Sequence, residues 1–134
     1  MAEIEGESLY PDDWFRIAAQ DLERVARRLA EDDSEDAAFR LQQAVEKYLK
    51  GFLLSHGWEL KRTHDLGALL TDAVGHDRHL ERVRGLCRQV ASYYLVQRYP
   101  LFEEGPPTDE VRAAYAKAKV FARALTKRWA RRRG

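Results

Sequence analysis

Along four separate stretches of this chain, apolar residues return every three or four positions, and each stretch closes in a polar or Gly/Pro-rich break. That spacing confines the fold more than any other feature. It lays one apolar stripe down a helix and cannot put alternate residues on one face of a strand. The first stretch predicts a helix over residues 12–31, with Trp14, Ala18, Leu22, Val25 and Leu29 as its stripe. Pro11 suits a first helical turn, and Asp12 and Asp13 meet the positive end of the helix dipole. After the turn EDDSED, Ser34 is the expected N-cap of a second helix over 35–55, whose stripe is Ala37, Leu41, Ala44, Val45, Tyr48, Leu49 and Phe52.

A short third helix over 65–74 carries Leu66, Leu69, Leu70 and Val74, and Gly75 closes it. The fourth, over 77–99, places Leu80, Val83, Cys87, Val90 and Tyr94 on one seam. The fifth, over 109–131, follows the breaker EEGPPT with Thr108 as expected N-cap, and its seam is Val111, Tyr115, Ala118, Ala122, Leu125 and Trp129. Four long helices joined by short polar turns imply an all-α fold: an antiparallel up-and-down four-helix bundle with one short additional helix across an end. The expected plan is an N-terminal extension over 1–11, one helical-bundle domain over 12–131 and a basic tail over 132–134.

A chain of 134 residues is one domain, large enough to fold without disulfides or a structural metal. Cys87 is its only cysteine, which excludes an internal disulfide, and its place on an apolar seam makes it a core residue. The apolar runs are too short to span a bilayer, and MAEIEGESLYPDD has no secretory character, so a cytoplasmic location is expected. Net charge is only +1, but it is unevenly spread. Residues 1–67 carry 9 Lys/Arg against 15 Asp/Glu, and residues 68–134 carry 14 against 7. Either the acidic early helices pack beside basic late ones, or the basic half meets an anionic partner. The arginines of RWARRRG fit the same pair of explanations, a nucleic-acid tail or cations complementing a helix C-terminus.

No GxGxxG, P-loop or HExxH pattern occurs. The histidines of His76-Asp77-Arg78-His79 sit at a turn, and no metal or cofactor is expected. On the second helix, Gln43, Lys47 and Lys50 form a polar ridge at i, i+4 and i+7. Glu46 precedes Lys50 by four, the favourable order for a surface pair of roughly 0.2–0.5 kcal/mol, so the ridge reads as a solvated face. Pro100 ends the fourth helix near Tyr99, which leaves Arg98 in its last turn, where cations meet free carbonyls.

Four segments in order carry a family resemblance. They are W-x-x-x-A-x-x-D-L (Trp14, Ala18, Asp21, Leu22); F-x-x-Q-Q-A-x-E-K-x-L-K-x-x-L-L (from Phe39 through Gln42, Gln43, Glu46, Lys47 and Lys50 to Leu54); Thr63-His64-Asp65-Leu66; and Arg98-Tyr99-Pro100. Over about residues 12–130 the chain resembles the HEPN domain, a helical bundle named for proposed nucleotide binding. The resemblance implies a bundle that commonly forms homodimers. It also implies, for small bacterial members, a partner: a minimal nucleotidyltransferase encoded alongside, the two forming a toxin–antitoxin pair. Many HEPN proteins are metal-independent ribonucleases using Arg-x(4–6)-His, in which His moves a proton and Arg stabilises charge on the phosphate.

Here the active pattern is incomplete, because the positions where that His would fall are Glu103, Glu104 and Gly105. The leading expectation is therefore a non-catalytic module binding a nucleotide, RNA or nucleotidyltransferase through Gln43, Lys47, Lys50, His64, Arg98 and Tyr99. Asp65 is expected to cap the third helix. One alternative is a degenerate ribonuclease using Arg98 with Glu103 or Glu104. The other is a homodimeric scaffold that buries exposed aromatics such as Tyr93, Tyr99 and Phe102 against a second copy.

Overall fold

The computed structural model describes residues 3–4, 7–98 and 105–133, with side chains over 7–94 and 105–133. Five α-helices carry the fold: α1 Pro11–Ala30, α2 Ser34–Leu54, α3 Leu66–Val74, α4 Arg84–Arg98 and α5 Thr108–Arg133. A 3-10 helix, Arg78–Val83, joins α3 to α4. Ahead of α1, β1 Glu3–Ile4 and β2 Glu7–Ser8 pair antiparallel in a two-residue ladder that the helical periodicity did not announce. No described helix is long and apolar enough to cross a membrane.

Contacts between helix ends fix the direction of each rod. Thr108, opening α5, hydrogen-bonds Asp32 beyond the end of α1, whereas Trp129 and Arg133 near its other end bond Asp12 at the start of α1. So α5 runs antiparallel to α1. It runs parallel to α2, because Arg132 reaches the Ser55 carbonyl just beyond that helix. The Tyr93 hydroxyl, near the end of α4, donates to Glu110 in the first turn of α5, which makes these two antiparallel. The result is the expected up-and-down four-helix bundle, with α3 as the short extra helix.

Helix α2 is the axis of the core. Ala37, Leu41, Ala44, Val45, Leu49 and Leu53 are buried along it, and Val25, Leu66, Leu69, Leu70, Val90, Val111 and Leu125 pack from the other helices. Gly51 lets α1 approach closely, since a Cβ there would sit 3.2 Å from the Trp14 Cβ and 3.3 Å from the Phe15 ring. Gly57, in the left-handed region at φ 81°, turns the chain out of α2.

Several local expectations need correction. Asp33, not Ser34, caps α2, its carboxylate accepting from the Asp36 N–H at 3.1 Å; Ser34 is already helical. Thr108 is likewise the first residue of α5 rather than its cap. The stretch 77–83 is not α-helical: Asp77 caps the 3-10 helix through the His79 N–H. Leu80 and Val83 are three apart, which suits a 3-10 turn as well as an α-helix, so spacing alone could not separate them. Asp65 does cap α3, accepting from the Ala68 N–H at 3.0 Å. Tyr93 is buried at 3% exposure within its own chain, and is no exposed aromatic awaiting a second copy. Tyr99 and Phe102 lie outside the described residues.

Candidate functional site

Between β2, the first turns of α1, the second half of α2 and the loop before α3 lies a cleft of about 300 Å³. Trp14 and Ile17 supply apolar wall, and Gln43, Glu46, Lys47, Lys50 and His64 supply polar groups. The Trp14 indole N–H donates to the Ser8 carbonyl at 2.7 Å, which fixes the ring and ties β2 to α1. The cleft thus brings together four of the six expected ligand residues: Gln43, Lys47, Lys50 and His64.

The electrostatics differ from a basic groove. Lys50 is not on a solvated face but 2% exposed, and Glu46 beside it is 3% exposed. Their i, i+4 ion pair, 3.2 Å long, is therefore buried, contrary to the surface pair that the spacing suggested. The reason is that α2 is surrounded by helices, so even its polar positions turn inward. Glu46 also accepts from the Gln42 amide at 3.2 Å and faces His64 Nδ1 at 2.8 Å. Against an ionised carboxylate that nitrogen carries the proton, which leaves Nε2 of a neutral ring as an acceptor. Lys50 lies 5.5 Å from the centre of the Trp14 ring, a cation–π contact on its remaining side. Lys47 bonds Asp21, which is itself 1% exposed and also takes Arg24 at 3.2 Å.

Each lysine is therefore held by its own acid, and Glu7 and Asp13 add further carboxylates to the lining. Such a site disfavours a polyanion and favours hydrogen-bond reading of a ligand. Gln43 gives its amide N–H to Gln42 at 2.7 Å and keeps its carbonyl available. The half-exposed His64 ring stacks on Tyr94 with centroids 4.9 Å apart, so an aromatic face borders the opening. Asp21, Gln42, Glu46 and Trp14 also build the site, although residue type alone does not mark them as ligand groups. All four stand within the motif stretches quoted above, and the i, i+4, i+8 spacing of Gln42, Glu46 and Lys50 was the available signal.

Arg98 closes α4, but its side chain, Tyr99, Glu103 and Glu104 lie outside the described residues. Gly105 is described, and it is crowded. A Cβ there would meet the Glu35 Cβ at 3.0 Å and the Glu35 backbone at 3.2 Å, so the last of the three positions open to a catalytic His admits no side chain without movement. Cys87 is buried, and desolvation pushes its thiol up to about 12, which removes it as a nucleophile. Among the described residues no cluster of His, Cys, Asp and Glu is suited to hold a metal ion.

The HEPN domain model matches residues 11–129, which takes in the cleft lining except Glu7 and Ser8, and all of the bundle but the last turn of α5. Among solved structures, the chain is similar to ST0689, described as an archaeal HEPN homologue, with a TM-score of 0.70 and 25% sequence identity. The match covers 90% of this chain and 98% of that one. No curated protein matches.

Proposed function

Starting from a chain that belongs to the HEPN domain family, we propose that it is a non-catalytic binding module, the partner of a minimal nucleotidyltransferase in a toxin–antitoxin-type pair. Its polar cleft takes the nucleotide or RNA-derived ligand. The observation that carries this reading is the meeting of Trp14, Gln43, Lys47, Lys50 and His64 around one hollow of about 300 Å³, the small end of the range for ligand pockets. Because both lysines are neutralised by buried acids, Asp21 and Glu46, recognition rests on the heterocycle. The Gln43 carbonyl and His64 Nε2 accept from exocyclic amino groups, and the Trp14 and His64 rings supply flat contact. The lack of a His at positions 103–105 favours binding over the ribonuclease alternative with Arg98 and Glu103 or Glu104. Homodimer formation belongs to this reading as the family's usual assembly.

Adenosine and AMP titrated against the protein, followed by tryptophan fluorescence and amide shifts, test it. Gln43→Ala is expected to weaken binding about tenfold, the effect of one hydrogen bond of some 1.4 kcal/mol. Equal affinity in the variant removes the cleft from ligand recognition. Co-purification with the nucleotidyltransferase encoded beside it tests the partnership separately, and two proteins that elute apart refute it. Incubation with RNA in the absence of metal completes the set: cleavage that disappears in Arg98→Ala would restore the enzyme.

A further inference from the structure

A second hollow, of about 490 Å³, opens where α2, α3 and α5 all end, and it shares no lining residue with the cleft. Its walls hold three arginines from the last turns of α5, Arg128, Arg131 and Arg132, and three histidines, His56 after α2 and His76 and His79 after α3. One acid, Asp77, lines it. Arg128 bonds that acid and the Ala124 carbonyl, and Arg132 gives one N–H to the Ser55 carbonyl at 2.9 Å. Arg131 has no ion pair among the described residues. A guanidinium has five N–H donors, so most of the donors in this hollow are unspent.

With neutral histidines the lining carries three positive charges against one negative, and protonation of the rings only raises the excess. Between described residues, a single ion pair, Arg133 with Asp12, joins the acidic half of the chain to the basic half. Rings form the remaining wall. His56 and His76 stack with centroids 4.5 Å apart and an interplanar angle of 23°, and Phe52 lies 4.6 Å from His56 on another side.

We propose that this hollow binds a phosphate monoester, as carried by a nucleotide or by a 5′-phosphorylated RNA end. Planar guanidinium forks match phosphate oxygens two at a time, and a dianion matches the lining's net charge. The volume exceeds that of a phosphate alone and leaves room for the attached sugar against the rings. The site is independent of the cleft and of any ligand bound there.

Protonation is coupled to such binding. Burial first, then Arg132 and His76, hold His56 below its ordinary 6.5, with only Asp77 opposing. The groups facing it are His76, Asp77 and His79 from the segment after α3, and Arg128, Arg131 and Arg132 from α5. A dianion among them reverses the balance, so binding takes up a proton and affinity rises as pH falls toward and below 6.5. A phosphate monoester loses its own second charge near pH 6, so its affinity levels off there. Sulfate stays dianionic, and its affinity continues to rise.

The test is NMR of the histidine ring protons of the intact chain, titrated with inorganic phosphate, sulfate, AMP and one oligoribonucleotide with either a 5′-phosphate or a 5′-hydroxyl. Saturable shifts at His56 and His76 are expected, weakened about tenfold by Arg131→Ala, as for one charge-assisted contact. Arg131 is exposed, so this variant keeps the fold, and Lys119→Ala on another face of α5 serves as the unaffected control. Tighter binding of the 5′-phosphorylated strand than of AMP names an RNA end as the source, and the reverse names a free nucleotide. The proposal is overturned by shifts that do not saturate, by equal affinity in Arg131→Ala, or by equal binding of the 5′-hydroxyl strand.

Discussion

Replacing Glu46 by Gln is the sharpest test of how α2 is built. On a solvated helix face the change would remove an i, i+4 pair worth about 0.2–0.5 kcal/mol. In the structure Glu46 and Lys50 are 3% and 2% exposed, and Glu46 accepts from Lys50, Gln42 and His64 together. Glu46→Gln leaves an ammonium with no counter-charge inside the bundle, and breaking a buried pair from one side costs about 3–5 kcal/mol. Domain stabilities are about 5–15 kcal/mol, so the loss is a large part of the total. Lys50→Met should cost less, because the remaining Glu46 still receives Gln42 and His64. The double variant Glu46→Leu/Lys50→Met should cost far less than the singles Glu46→Leu and Lys50→Met added, since neither charge remains to be compensated. Urea unfolding followed by circular dichroism measures the parent and the four variants, with an unchanged m-value as the check that only stability moved. A loss below about 1 kcal/mol for Glu46→Gln, or strict additivity in the double variant, would refute a buried, coupled pair.

Two other predictions concern positions outside the cleft. The Cys87 thiol, pushed up to about 12 by burial, should resist thiol reagents in the native protein and label only on unfolding. Its unfolded counterpart ionises near 9.0, so stability should fall as pH rises from 9.0 toward 12, and Cys87→Ala should abolish that component of the alkaline loss in pH-dependent melts. Gly105→Ala should destabilise by about 1–3 kcal/mol, because its methyl group presses on the Glu35 backbone at the start of α2; an unchanged melting temperature would show that the turn yields freely.

The rods were legible because their seams repeat at helical spacing, and the order of Trp14, the Gln42–Lys50 stretch and Thr63-His64-Asp65-Leu66 identified the family. What the sequence concealed was position around α2. A polar residue on a helix reads as outward-facing unless one knows that the helix is enclosed on every side, and this depends on α3, α4 and α5 closing over it. The buried set of Gln42, Glu46 and Lys50 therefore looked like surface, and Phe15, Ala114 and Phe121 were passed over for the half-buried Trp14, Tyr115 and Trp129. The capping errors at Ser34 and Thr108 have a different cause. Asp33 and Ser34 are both good caps in adjacent positions, and only the backbone decides which one leaves the helix. The hollow at the end of α5 was hidden because its six basic groups come from three segments far apart in sequence.

The enclosed polar seam also bears on what the bundle is for. Leucine or methionine at positions 42, 46 and 50 would pack α2 at least as well, since well-packed apolar residues commonly match or exceed a buried ion pair in stability. Stability therefore does not account for the seam. Geometry does: Glu46 holds His64 by Nδ1, Gln42 holds the amide of Gln43, and Asp21 holds Lys47, so each residue at the cleft mouth is oriented by one buried behind or beside it. A ligand site needs such support, because a side chain locked in place gives up less freedom on binding. It follows that the double variant Glu46→Leu/Lys50→Met should separate the two properties. It should keep the fold and much of the stability, yet lose the cleft ligand, because His64 and the Gln42–Gln43 pair are no longer anchored. Retention of both stability and affinity would mean that the cleft does not depend on the seam, and the case for a preorganised site in α2 would fall with it.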